Sequence, residues 1–574
     1  MKNKVFPTLT TPYVEKMDKN TPWNEYPRPS MVRGSFLCLN GTWDFGIAKK
    51  GCAPEYTDKI LVPFPPESLL SGYEKRIPKK HLLHYRRTFT LPDDFIKERV
   101  ILHFGAVDAV CDVYLNGTSV AHHEGGYLPF SADITDVLAR GEENVLTLQI
   151  TDDISPKYPY GKQTHKRHGM WYTPVSGIWQ TVWLESVPKN HIERIKITPT
   201  TKDVLIEVVG GTNEKVLTLE DGSVYKFSGM CVTVTPREPI LWTPETPHLY
   251  SFTLESGEDK IESYFALREI GSKTVNGIPR LTLNGKPYLF SALLDQGYFP
   301  DGIFLPATSE GYLDDIRAAK EMGFNTLRKH IKIEPEIFYN LCDRMGMVVF
   351  QDMVNNGKYS FFFDTALPTV GMKRFTDTIL HRNKETRDIF INHTKDTLRH
   401  LYNFPSILYY TVFNEGWGQF CADAAYDFVK SIDSTRIVDT TSGWFQRNKS
   451  DVDSRHVYFK PVTLTKRDGR PIVISEFGGY SHRVTEHLFG TDNYGYRVFD
   501  ERKDFEDAFT TLHTDEILPL IDKGICALVY TQLSDIEDET NGLLTYDRRV
   551  TKVERKVVFE LMQKLYSKMA ESEE

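Results

Sequence analysis

Cysteine is scarce and unpatterned in this chain. Its seven cysteines, Cys38, Cys52, Cys111, Cys231, Cys342, Cys421 and Cys526, are odd in number and scattered. None falls at metal-ligand spacing, so neither a disulfide framework nor a zinc site is expected, and the thiols should be reduced. Long apolar runs are also missing: no uncharged stretch approaches the roughly 20 residues a membrane helix needs. The opening segment, Met1 to Pro12, is charged but has no apolar centre of the kind a secretion signal carries. A cytoplasmic protein that does not enter membranes is the resulting expectation. Basic charge is not in excess, with 69 Lys and Arg against 78 Asp and Glu for a net charge of -9. A nucleic-acid partner is therefore not expected. There is no internal repeat, low-complexity tract or cluster of metal-binding side chains, and no cofactor is expected.

What remains is ordinary globular composition, 40% hydrophobic and 26% charged, in a chain of 574 residues, long enough for three domains. From about Leu39 to Glu185, short alternating runs such as 111–115 and 144–150 are separated by turn pairs such as Asn116-Gly117. That pattern predicts an antiparallel sandwich. A shorter all-β stretch follows, including 203–209 and 229–235. After about Gly271 strands alternate with amphipathic helices: helix over 312–322, strand over 325–328, helix over 336–345, strand over 347–350, and a last helix over 553–566. The domain boundaries read from this texture are 1–185, 186–272 and 273–574. The acidic end, Ala570 to Glu574, reads as a solvated tail.

Two carboxylates stand out in the third region. Glu415 follows Ile407-Leu-Tyr-Tyr-Thr-Val-Phe-Asn414, and Glu476 follows Pro471-Ile-Val-Ile-Ser475. Each closes a β-branched and aromatic run typical of a buried parallel strand, and each has glycine within two residues. In a (β/α)8 barrel all strand ends open on one face, so acids separated by two or three βα units can meet over one substrate. Paired acids at such a mouth suit glycosidic bond cleavage, where one protonates the leaving oxygen and the other meets the charge developing at the anomeric carbon. Taken singly, either acid also fits a loop or capping position.

The motifs around these acids resemble glycoside hydrolase family 2, which includes β-galactosidases, β-glucuronidases and β-mannosidases. Asn414-Glu415 and Ser475-Glu476-Phe-Gly-Gly479 are similar to its acid/base and nucleophile segments. Leu39-Asn-Gly-Thr-Trp-Asp-Phe45, His123-Glu-Gly-Gly-Tyr-Leu-Pro-Phe130 and Ser176-Gly-Ile-Trp-Gln-Thr-Val182 resemble its amino-terminal sugar-binding-type sandwich. Leu241-Trp-Thr-Pro-Glu-Thr-Pro-His-Leu-Tyr250 is similar to the end of its immunoglobulin-like second domain. The resemblance thus implies a jelly-roll sandwich, an immunoglobulin-like sandwich and a TIM barrel.

It also implies roles. Glu415, after the fourth strand, would be the acid/base and Glu476, on the seventh, the nucleophile of a retaining double displacement. Asn414 would bind the hydroxyl beside the anomeric carbon, with a helix or loop cap as the alternative. Tyr458 resembles a tyrosine that hydrogen-bonds the nucleophile, although a core position fits as well. Arg328 and His330 match an Arg-x-Ser-His motif shortened by one residue; Arg328 would tune Glu476 and His330 would bind substrate, against the alternative of a surface basic pair. Asp295 would contact the terminal sugar or be an exposed loop acid. Trp417, Trp444 and Tyr530 are candidate stacking platforms for a pyranose, or core aromatics.

Departures bear on the substrate. Glucuronidases of the family carry Asn-x-Lys-Gly after the eighth strand, where this chain has Glu539-Thr-Asn-Gly542. A carboxylated sugar would meet Glu539 with like-charge repulsion, so a neutral sugar is favoured. The stretch 295–302 lacks the histidine and glutamate that large β-galactosidases use partly for metal binding, and no metal is expected. The reading is therefore an exo-β-glycosidase acting on a small glycoside or an oligosaccharide, with β-galactoside first. β-Glucuronidase, β-mannosidase, β-xylosidase, α-L-arabinopyranosidase, a transglycosylating enzyme and a non-catalytic glycan-binding protein are the alternatives. The loop 355–376, with Phe361-Phe-Phe363, suits an aromatic aglycone, a subunit contact or burial under the rim. By family analogy the chain would form a dimer or tetramer.

Overall fold

The protein is seen in a computed structural model that describes residues 9–92, 94–369, 372, 377–379, 381–464, 468–492 and 494–571. The first eight residues, much of the far end of the 355–376 loop, and the last three residues of the acidic end lie outside that set. Three bodies follow one another along the chain. In the first, the alternation read from sequence becomes alternation of burial: Val110–Leu115 and Asn144–Thr151 bury every second side chain. These strands lie in a six-stranded antiparallel sheet that faces a four-stranded one across a single apolar core. The second body packs a three-stranded sheet on a four-stranded sheet, both antiparallel, around Ile197, Ile206, Leu217 and Phe252.

The third is a nearly closed barrel of eight parallel strands: β1 (Phe290–Asp295), β2 (Thr326–Lys329), β3 (Val348–Asp352), β4 (Ile407–Asn414), β5 (Ile437–Ser442), β6 (Asp453–Val457), β7 (Ile472–Gly478) and β8 (Ile525–Thr531). Hydrogen-bonded neighbours run β5-β4-β3-β2-β1-β8-β7-β6. Every residue of β4 and β7 is buried, as expected for strands covered on both faces. Parity sorts the side chains: Ala292, Leu294 and Val529 fill the barrel interior, whereas Leu293, Leu327 and Tyr530 join the apolar layer beneath the helices. Among the described residues no helix is long and apolar enough to cross a membrane.

The second body is fastened to the barrel at one helix end. Helix α1 (Glu336–Met345) stops at Gly346, whose φ of 69° is left-handed. A Cβ there would sit 2.4 Å from the Pro244 carbonyl oxygen. Beside it the Trp242 indole donates to the Asp343 carbonyl at 2.9 Å, and the Tyr264 hydroxyl donates to the Asp343 carboxylate at 2.8 Å. Gly346→Ala therefore combines a left-handed strain of about 1–2 kcal/mol with a backbone clash. It is expected to lower the thermal midpoint while leaving the barrel mouth unchanged, which differential scanning calorimetry and binding to the mouth would report.

Candidate active site

β4 ends at Asn414, and the next residue departs from the ladder: Glu415 takes a φ of 53°, left-handed for a non-glycine residue. Its N–H donates to the Ser442 carbonyl at 2.9 Å, which fixes the turn that carries its side chain over the mouth. Glu476 lies within β7 and points into the same space. Carboxylate oxygens of the two acids and one imidazole nitrogen of His456 all lie within 4.8 Å of one another. Such a cluster has the dimensions a cation would need; His456 Nδ1 lies 2.9 Å from Glu415 Oε1, and the Tyr458 hydroxyl donates to Glu476 Oε2.

Arg328 organises the floor. It projects inward from β2 and is 1% exposed. Its Nε donates to Asp352 Oδ1 at 3.0 Å, Nη1 to the Ser475 carbonyl at 2.8 Å and to Glu476 Oε1 at 3.2 Å, and Nη2 to Asn414 Oδ1 at 3.0 Å. The second oxygen of Glu476 accepts from the Tyr458 hydroxyl at 2.6 Å, and that hydroxyl also lies 3.0 Å from Thr531 Oγ1. The Tyr458 ring stacks on Tyr496 with centroids 4.0 Å apart. Burial on its own would push the Glu476 carboxyl up; His456 and Arg328 outweigh it and hold the group at about 2. His330 Nδ1 lies 2.6 Å from Asp352 Oδ2, and burial, reinforced by Lys162, pushes its imidazole down to about 4. Its ring is thus neutral at neutral pH, with Nδ1–H donating to Asp352.

Seven of the residues picked out from sequence therefore converge: Glu415, Glu476, Asn414, Tyr458, Arg328, His330 and Trp444. Trp444 is half-buried, meets the His456 ring edge-on at 5.5 Å, and has an indole nitrogen without a partner among the described residues. Three others are not brought to the pair. Asp295 points outward from β1 into a buried ionic cluster, taking Lys329 Nζ at 2.6 Å while Lys329 and Lys332 share Glu334 at 2.8 and 2.9 Å. Tyr530 faces outward from β8 and is packed against Phe477, Phe509 and His513. Trp417 is 4% exposed, donates to the Gly357 carbonyl at 3.1 Å, and belongs to an aromatic cluster with Tyr160, Trp171 and Tyr359. Phe361, Phe362 and Phe363 stand on the surface rather than under the rim.

Sequence reasoning missed the residues supplied by the first sandwich. Its segment 152–176 crosses to the barrel mouth. There Tyr160 N–H donates to the Asn355 carbonyl at 3.2 Å, Thr173 N–H to Glu537 at 2.9 Å and Arg167 to Asp538 at 3.0 Å. The Tyr172 hydroxyl donates to Glu539, whose other oxygen accepts from Asn541 Nδ2 at 3.0 Å. Gln296 Nε2 donates to the Tyr172 oxygen at 2.7 Å and to Gln532 Oε1 at 2.8 Å. Burial pushes the Glu539 carboxyl up, against the pull of Lys162 from the same segment. Its carboxyl is thus engaged by Tyr172 and Asn541. No local pattern marks Lys162 or Tyr172, because their partners lie hundreds of positions later. His456 was also missed, though a signal existed: it stands two residues before Tyr458, on the face of β6 that the period of 2 assigns to both.

Comparison with known proteins agrees with this architecture in chain order. Residues 71–191 match "Glycosyl hydrolase 2 galactose-binding domain-like", 182–268 match "Glycosyl hydrolases family 2", and 307–551 match "Glycosyl hydrolases family 2, TIM barrel domain". Curated relatives include β-galactosidases of Pseudoalteromonas haloplanktis, 23% identical over 89% of this chain and 54% of the relative, and of Aeromonas hydrophila, 26% identical over 84% and 49%. The chain spans about half the length of the curated relatives it matches. Among solved structures, the β-D-glucuronidase of Dictyoglomus thermophilum has a TM-score of 0.73 at 16% identity, covering 94% of this chain and 98% of that one. A β-galacturonidase of Eisenbergiella tayi has a TM-score of 0.69 at 18% identity, covering 93% and 97%. Three consecutive matches to one family, laid over a sandwich, a second sandwich and a barrel, establish that the chain belongs to glycoside hydrolase family 2.

Proposed function

We propose that this chain is a retaining exo-β-glycosidase, with Glu476 as nucleophile and Glu415 as acid/base. The observation that carries the proposal is that an oxygen of one carboxylate lies within 4.8 Å of an oxygen of the other. Retaining enzymes need their acids roughly 5–5.5 Å apart, whereas inverting ones keep about 6.5–9.5 Å to admit a water between them. The electrostatics support the division of labour. A carboxyl held at about 2 is ionised at neutral pH and free to attack, and Arg328 and Tyr458 aim its two oxygens. Glu415, carried out of the ladder on its left-handed turn, protonates the departing oxygen as Glu476 bonds to the anomeric carbon. It then takes a proton from the water that cleaves the glycosyl ester. Asn414 has its Oδ1 taken by Arg328, which leaves Nδ2 to donate to the adjacent sugar hydroxyl.

For the terminal sugar we favour a neutral β-galactoside, in keeping with the curated relatives. A β-linked uronide is the second reading, and one observation favours it. Glu539, whose charge would repel a carboxylate, is engaged by Tyr172 and Asn541, while Lys162 adds a positive charge felt at Glu539, Glu476 and His330. A panel of p-nitrophenyl β-galactoside, glucoside, mannoside, fucoside, xyloside, glucuronide and galacturonide, with the α-arabinopyranoside, separates the two. Preference for the galactoside supports the first reading, and preference for a uronide that is lost in Lys162→Met supports the second.

The roles have their own tests. Glu476→Ala is expected to abolish turnover and, with added azide, to give a glycosyl azide of inverted configuration. Glu415→Ala should lose about 10²–10⁴-fold on poor leaving groups and give the retained azide. Identical azide products from both variants would overturn the assignment. The depressed Glu476 value also has a signed consequence. Its ionised form persists as pH falls, so kcat/KM should show no acid limb from the nucleophile until near pH 2, within the range where the protein stays folded. Arg328→Met removes the guanidinium that helps hold Glu476 down, and the acid limb should then move upward in pH profiles of kcat/KM.

A further inference from the structure

One side chain touches both carboxylates and has no role toward Glu415 in the scheme above. His456 Nδ1 lies 2.9 Å from Glu415 Oε1 and 3.5 Å from Glu476 Oε2, while Nε2 lies 3.0 Å from Ser442 Oγ. Its side chain is fully enclosed. The enclosure is built around it: Gly443 has a φ of 96°, and a Cβ there would lie 2.9 Å from Nδ1 and 3.0–3.1 Å from two ring carbons. Only a residue without a side chain lets the backbone pass so close to the imidazole. Trp444, next in the chain, meets the same ring edge-on at 5.5 Å. Neither the ring's position nor its rotation is therefore left to chance.

We propose that His456 is a positioning residue for the acid/base, donating Nδ1–H to Glu415 Oε1 so that the transferable proton is carried on Oε2, toward the leaving group. The inference rests on the reading of Glu415 as acid/base. Ser442 Oγ holds Nε2 at 3.0 Å, and Nδ1, which faces an oxygen of each carboxylate, carries a hydrogen. With Oε1 occupied as an acceptor, the proton of Glu415 resides on the other oxygen. That proton passes to the glycosidic oxygen as the carbon–oxygen bond breaks, and the hydrogen on Nδ1 stays where it is. Once Glu415 is anionic the same N–H becomes a charge-assisted bond and stabilises the group that has just lost its proton. The interaction is thus stronger after proton transfer than before, which is the condition for accelerating that step. The second approach, to Glu476 Oε2, places a donor hydrogen between two oxygens that would otherwise repel.

The test compares His456→Leu with His456→Asn, similar in size, because the asparagine amide nitrogen sits where Nδ1 does. Each is assayed on the phenyl and 2,4-dinitrophenyl β-glycosides of the sugar preferred in the panel, beside Glu415→Ala. His456→Leu should lose about 10- to 100-fold in kcat/KM on the phenyl glycoside, the scale of a hydrogen bond to a charged group. It should stay near wild type on the dinitrophenyl glycoside, whose leaving group needs no acid. His456→Asn should recover most of the loss. Equal losses on both substrates, or no recovery with asparagine, would overturn the proposal even if thermal melts show both variants folded. If Glu415→Ala itself showed no dependence on the leaving group, the acid/base reading would fail instead, and the two failures are distinguishable.

Discussion

A guanidinium buried at the bottom of a barrel mouth must have acceptors, and Arg328 finds them on three other strands. Asp352 on β3, Asn414 on β4 and Ser475 with Glu476 on β7 all turn toward it. An unpaired charge at that depth would cost several kcal/mol, so the strand ends are held in register by the need to satisfy it. Tyr458, His330 and His456 arrange themselves around the groups so fixed. The mouth is best understood as one hydrogen-bonded lattice in which orientation of the carboxylates follows from neutralising a cation.

That lattice explains which parts of the site could be read from the chain and which could not. Glu415, Glu476, Asn414, Tyr458 and Arg328 sit in short motifs whose residue types carry their chemistry, and the barrel rhythm around them was plain. The strand-by-strand texture placed β2, β3 and α1 within a residue or two of where they lie. Asp295 and Tyr530 went astray for a reason of parity. Residues 294 and 529 fill the interior, so their successors face the helices, and polarity or ring shape says nothing about that without the register. Trp417 sits two residues past Glu415, but the turn there sends its ring into an aromatic cluster. Proximity in sequence to a site residue is a weak guide where the backbone reverses.

The larger omission was the first sandwich. Nothing local in 152–176 announces that Tyr172 and Lys162 reach another domain, since the partners that give them meaning are remote. Long-range pairing of this kind leaves no periodic trace. The expectation drawn from Glu539 shows the effect. Its charge alone argued for repulsion of an acidic sugar, while its observed hydrogen bonds to Tyr172 and Asn541 show a carboxyl already engaged. The surroundings of Glu539 therefore come from two domains at once.

The span of that contact bears on how the molecule is made. Tyr172 and Glu539 lie 367 positions apart, so during synthesis the sandwich can fold long before the residue its tyrosine must meet has emerged. Until β8 and its following loop are in place, the segment 152–176 can meet Asn355 and Trp417 but not Glu537, Asp538 or Glu539. A chain released early would present a finished sandwich beside an open mouth. The docked segment thus doubles as a record that the last strand of the barrel has arrived.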